Sequence, residues 1–143
     1  MNKTLRERVS IVVVHQGKIL GFHAEDPQNK KMYFFIPGGR IEDGESALEA
    51  AQRETFEETG YRIEVLEESV IRRRYDFEWD GRVFDCITLF FAGRLISEDA
   101  EQVRDADYHR GAAWVSLAEV DEIFAYHKDI LEPVKALLKL AEK

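Results

Sequence analysis

Among 143 residues there is one cysteine, Cys86. An intrachain disulfide is therefore impossible, a cysteine-type zinc site is excluded, and a reducing compartment is the default expectation. Proline is scarce as well, with three in all, and no Pro/Gly/Ser linker, repeat or low-complexity tract breaks the chain. Residues 1–143 thus read as one domain. Long apolar runs are missing. The longest, at 11–14 and 87–92 (with Thr88 inside it), fall far short of the ~20 residues that span a bilayer. The opening MNKTLRERVS carries charge with no apolar stretch behind it, unlike a secretory signal. The expected location is the cytoplasm, with no membrane partner. Positive charge is also in deficit: 20 Lys and Arg against 28 Asp and Glu leave −8, which disfavours nonspecific binding to nucleic acid.

What is present is an ordinary folding composition. Apolar residues make up 45%, and nine Phe, five Tyr and two Trp supply enough buriable surface to rule out disorder as the main state. The negative charge is concentrated. Residues 42–68 hold ten acids and two bases, while the rest of the chain balances to zero. Either that block is spread over a solvated surface or something positive sits in it.

Residues 8–15 are β-branched and apolar almost throughout, as a buried strand requires. Residues 19–24 read as its hairpin partner, and 32–36 as a short strand stopping at Pro37-Gly38-Gly39. Ser46 with Glu49 forms a capping box that opens a helix over 47–59, and Gly60 sits where a left-handed cap is wanted. Strands follow at 61–65, 69–78 and 82–95, the last two joined by the hairpin signal Asp80-Gly81. A short strand at 112–115 precedes helices near 117–125 and 130–142, each opened by a further capping box (Ser116/Glu119 and Asp129/Glu132). The order predicts an α/β fold, a mixed sheet with helices on its faces.

On the first helix, positions i, i+3 and i+4 share a face, so Glu54, Glu57 and Glu58 project into one small region. Each like-charged pair costs about 0.2–0.5 kcal/mol, and the only base in the helix is Arg53. Three glutamates alone describe a solvated face more readily than a hard-cation site. The strand, the double-glycine turn and the acidic loop leading into the helix favour the second reading.

The segment GGRIEDGESALEAAQRETFEETGY resembles the Nudix box. Gly39, Glu45, Arg53-Glu54, Glu57-Glu58 and Gly60 occupy its glycine and charged positions at the right spacing. Thr55 and Tyr61 stand where an aliphatic residue is usual. The resemblance implies the family's α/β/α sandwich and hydrolysis of a nucleoside diphosphate linked to another group, a small molecule, with Mg²⁺, which Mn²⁺ can replace. By position it makes Glu54, Glu57 and Glu58 metal ligands, with Glu54 the base in some members. The Gly38 carbonyl is a further ligand, Gly39 a substrate contact, Arg53 the residue that orients the glutamates, and Glu45 a brace for the loop. Many relatives add an acid shortly before a late-strand Trp. Here that Trp is Trp114 and the candidate is Asp107, a plain loop acid being the other reading. Relatives commonly form homodimers, and nothing in this sequence requires one. A catalytically silent nucleotide-binding module is the rival reading, and it would be favoured by loss of a box glutamate; none is lost.

Outside the box, strand alternation sends Arg72 and Arg74 to one face, as phosphate contacts or as solvated edge charge. Tyr33, Phe35, Phe77 and Trp79 alternate similarly, as core or as a platform for a base. The four histidines show no metal-ligand spacing, and Cys86 reads as buried and inert.

Overall fold

The computed structural model describes residues 2–102 and 109–142. Strands β1 (Thr4–His15), β2 (Lys18–Glu25), β3 (Met32–Phe35) and β4 (Gly38–Arg40) precede helix α1 (Ala47–Thr59). Strands β5 (Ile63–Trp79), β6 (Arg82–Leu95) and β7 (His109–Ser116) follow. A 3₁₀ turn (Leu117–Glu119) then leads into α2 (Val120–Ile123) and α3 (Lys128–Ala141). Among the described residues, no helix is long and apolar enough to cross a membrane.

The sheet is mixed. β1 runs parallel to β6 from Thr4↔Phe84 to Val13↔Gly93 and antiparallel to β4 and β2. β5 closes the β6 side, and β3 and β7 flank β2. Both faces of β1 are covered. Val9, Ile11 and Val13 pack with Ala50, Ala51 and Phe91 on the α1 side. Val12 packs with Phe90, Phe124, Val134 and Leu137 on the α3 side. Burial on two faces is why this strand is apolar without alternation, and it produces an α/β/α sandwich.

Several boundaries differ from the sequence expectation, each for a local reason. β1 begins at Thr4 because β6 continues alongside it. The segments expected at 61–65 and 69–78 are one strand, with a register shift between Leu66 and Ile71. Ser69 stitches that irregularity: its hydroxyl donates to the Leu66 carbonyl and accepts the Ala92 N–H. The double-glycine turn is itself a short strand, Ser10↔Gly38 to Arg8↔Arg40. Ser116 caps by accepting the Ala118 N–H, not that of Glu119. Helix α3 starts earlier than expected, because the His127 ring accepts the Asp129 N–H and places Asp129 inside the first turn. That ring is held against Tyr75 and Phe77.

Candidate active site

α1 is capped as its sequence demands. Ser46 Oγ accepts the Glu49 N–H at 3.1 Å and Glu49 Oε1 accepts the Ser46 N–H at 2.9 Å, while Gly60 takes φ 81°. Thr55 and Tyr61, the two departures from the motif, are both accommodated. Thr55 is fully buried, its hydroxyl turned back to the Ala51 carbonyl at 2.7 Å. The Tyr61 hydroxyl accepts the Trp114 indole N–H at 3.2 Å and ties the helix end to β7.

Arg53 is the hub of the acidic loop. Its five N–H donors make five hydrogen bonds: two to Glu45, one each to Glu54 and Glu57, and one to the Arg40 carbonyl. The guanidinium holds Glu45 at a pKa of about 2, helped by the Glu42 N–H, and the Arg53 pKa is itself raised, chiefly by Glu45. Glu54 moves the other way. Burial raises its pKa, and Arg53 offsets that only in part. Glu58 is buried and accepts the Gly38 N–H at 2.8 Å. Backbone packing requires glycine at position 38, and at 39 any side chain would displace the Glu54 carboxylate. A Cβ on Gly39 would overlap the Glu54 carboxylate, and one on Gly38 would overlap the Val9 carbonyl.

The donor set of three carboxylates and the Gly38 carbonyl suits a hard divalent cation. The carboxylates are held apart, however. Arg53 draws Glu54 and Glu57, Glu58 turns to Gly38, and among the described residues no three acidic, His or Cys side chains are placed to share an ion.

Glu54, Glu58, Gly38 and Gly39 form one wall of a cavity of about 360 Å³, within the range of small-ligand sites. Aromatic rings line it as well: Phe22, Phe35, Phe77, Trp79 and Tyr126. Phe35 meets Trp79 edge-on at 5.4 Å and Phe77 at 5.9 Å; Tyr33 stacks behind Phe35. Buried Asp26 fixes this end by accepting the N–H groups of Gln28 and Asp80, which joins the β2–β3 loop to the β5–β6 turn. Cys86 also lines the cavity, its thiol pKa pushed up by burial.

Arg72 and Arg74 are not part of this cavity. Both are exposed on the opposite face of β5, and Arg74 is clamped by Asp85 at 2.6 and 3.0 Å. The guanidiniums that do line it are Arg6, Arg8 and Arg40. Sequence reasoning missed them, although Arg6-Glu7-Arg8 already carried the period-two signal of a strand face. Asp107 lies outside the described residues. Of the other loop acids, Glu98 meets His15 at 2.6 Å and Glu101 pairs with Arg62 at 3.0 Å.

Comparison with known proteins agrees with this construction. The NUDIX domain family model matches residues 4–137. An RNA pyrophosphohydrolase of Pelagibacter ubique is 27% identical over 96% of both chains. A putative mutator protein, MutT4, of Mycobacterium tuberculosis is 36% identical over 67% of this chain, which spans only 38% of that relative's length. A NUDIX hydrolase from Nitrosomonas europaea superposes with a TM-score of 0.71 at 23% identity, covering 98% of this chain and 91% of that one. The match runs from β1 through the capped acidic helix to α3, the elements that build the cavity, and the chain belongs to the Nudix hydrolase family.

Proposed function

We propose that the protein is a divalent-metal-dependent pyrophosphohydrolase that cuts the phosphoanhydride of a small nucleoside diphosphate derivative. The observation that carries this reading is one cavity lined both by carboxylates and by aromatic rings. Such a cavity offers a cation site to a diphosphate and a flat apolar surface to a base. Glu54, Glu57, Glu58 and the Gly38 carbonyl are the residues that would hold Mg²⁺ or Mn²⁺. When bound, the ion supplies the positive charge that screens phosphate from carboxylate, polarises the phosphoryl oxygen and acidifies water.

The protein's own groups do the positioning. Arg53 fixes the glutamate rotamers from behind, and Glu45 fixes Arg53. Gly39 lets the chain pass close to Glu54. Where Glu57, Glu58 and the Gly38 carbonyl hold the ion without it, Glu54, whose pKa is raised by burial, is the carboxylate suited to taking a proton from attacking water. Phe35, Phe77 and Trp79 are the stacking platform. The Pelagibacter relative is named for RNA, but a net charge of −8 and a cavity of about 360 Å³ favour a small substrate.

The test is a hydrolysis panel of nucleoside triphosphates, nucleotide sugars, ADP-ribose and dinucleoside polyphosphates with Mg²⁺ or Mn²⁺, products being identified by mass. Metal-dependent cleavage that falls by about two orders of magnitude or more in Glu58→Gln is expected, as for loss of a metal ligand. Folded protein that cleaves none of them, or a Glu58→Gln variant as active as the parent, would refute the reading.

A further inference from the structure

The aromatic part of the cavity is built from strands that do not pair. Phe35 lies on β3, and Phe77 and Trp79 lie on β5, at the two ends of the strand order β3-β2-β1-β6-β5. Among the described residues no ladder joins these two strands. Their rings nevertheless meet, Phe35 with Trp79 at 5.4 Å and Tyr33 with Trp79 at 6.1 Å between centroids. Side chains bridge the two edges at two points. In the middle, the Tyr126 hydroxyl donates to the Phe34 carbonyl of β3 at 3.0 Å, and the adjacent His127 Nε2–H donates to the Asp76 carbonyl of β5 at 2.7 Å. At the end stands Asp26, in the loop between β2 and β3 and 1% exposed. Its Oδ1 accepts the Gln28 N–H at 2.8 Å and the Asn29 N–H at 3.4 Å, a local turn. Both of its carboxylate oxygens also accept the Asp80 N–H, each at 3.2 Å.

Asp80 is the first residue of the turn between paired Trp79 and Arg82, so its N–H has no ladder partner in the hairpin. Gln28 packs against the same turn, 3.3 Å from where a Cβ on Gly81 would stand. The local turn at Asp26 does not require a charge, because asparagine closes such turns as well. A buried carboxylate is costly unless hydrogen-bonded, and its charge strengthens each bond that it accepts. What the charge adds here is the bond across the gap, to the residue next to Trp79. We propose that Asp26 is a positioning residue for substrate selection. It holds β5 against β3, sets the width of the ring-lined slot, and so makes the enzyme favour diphosphates that carry a base over those that do not. Asp26 does not itself line the cavity and acts through Trp79. This rests on the reading that the rings take the base.

The test uses Asp26→Asn, which keeps an acceptor for the local turn. Trp79 is followed in a Trp114→Phe background, which leaves it the only tryptophan of the chain. In the variant its emission should move to the red and become more accessible to acrylamide. Binding with Mg²⁺ is measured by calorimetry for α,β-methylene-ADP and for methylenediphosphonate, which both resist cleavage. The parent should favour the nucleotide by about tenfold or more, the scale of one base stack. The variant should lose that margin while holding methylenediphosphonate as before. On a cleaved nucleotide, KM should rise about tenfold at constant kcat, the pattern of binding lost equally from ground and transition state. Unchanged emission or an unchanged margin in the variant would overturn the proposal. So would equal weakening of both analogues with a fall in kcat, which is general loosening of the fold. Equal affinity of the parent for the two analogues would overturn the base-platform reading and the proposal with it. Absence of any hydrolysis would fall on the catalytic reading alone, leaving the analogues to decide the role of Asp26. Should Asp26→Asn fail to fold, Tyr126→Phe releases the other bridge to β3 and must narrow the same margin.

Discussion

At the scale of single residues, Arg53 is where charge, geometry and stability meet. A lysine there keeps the positive charge but has three donors on a point, not five in a fork. Arg53→Lys should therefore stay folded yet lose about 10–100-fold in kcat, the usual cost of removing a residue that orients metal ligands. Turnover within twofold of the parent would show that the glutamates hold themselves. The same pair has a readable acid signature. Glu45 titrates near 4.5 when unperturbed and at about 2 in the fold. Its folded pKa is depressed, so its stabilisation is complete above about 4.5 and is lost as pH falls towards 2. Burial shifts Glu54 in the opposite sense, so its ionised form opposes folding near neutrality and acid relieves that opposition. Melting curves of the parent and Glu45→Gln should accordingly lie apart at neutral pH and converge below about pH 4.5. A gap constant down to pH 2 would mean that Glu45 owes nothing to its charge. These side chains were legible in advance because a helix fixes the spacing of its own face. Arg6, Arg8 and Arg40 were not, since their meeting depends on how β1 and β4 register.

At the scale of elements, sequence-local chemistry was read correctly around α1 and the β5–β6 turn, while the boxes expected at Ser116/Glu119 and Asp129/Glu132 did not form as read. The Ser46/Glu49 box, the Gly60 cap and the Asp80-Gly81 hairpin are all present. Readings failed where a distant group intervenes. β5 stays continuous across its irregularity because Ser69 reaches the Ala92 amide on the neighbouring strand, and α3 begins where the His127 ring finds Tyr75 and Phe77. Neither contact is visible in a window of sequence. The cap of α1 allows a clean separation of stability from catalysis. Ser46→Ala removes the acceptor for the Glu49 N–H and should cost about 1 kcal/mol in denaturant unfolding. Glu54, Glu57 and Glu58 lie beyond the second turn and are held by Arg53 and Gly38, so kcat should be unchanged. A fall in kcat parallel to the stability loss would mean that the helix moves as one body and that its first turn helps set the site.

For the whole molecule, the decisive fact is that its net charge resides in one stretch of chain. The ten acids of residues 42–68 include the three clustered glutamates of α1, and only part of their mutual repulsion is relieved by Arg53. A divalent cation that binds the folded site and not the unfolded chain adds stability by mass action, about 2.7 kcal/mol at a hundredfold excess over its dissociation constant. For a domain of this size that is a rise of several degrees in melting temperature. General screening by salt would also relieve the repulsion, so the comparison must hold ionic strength fixed: Mg²⁺ against NaCl with chelator. The expected result is a higher Tm with Mg²⁺ in the parent and a much smaller rise in Glu57→Gln and Glu58→Gln. Those variants should at the same time be more stable than the parent in chelator, because each removes one negative charge from the cluster. That opposite pair of shifts distinguishes a cation site from a merely solvated acidic face, which would gain from neutralisation but show no preference for Mg²⁺. An equal response to both salts would exclude the site whatever the enzyme is later found to hydrolyse.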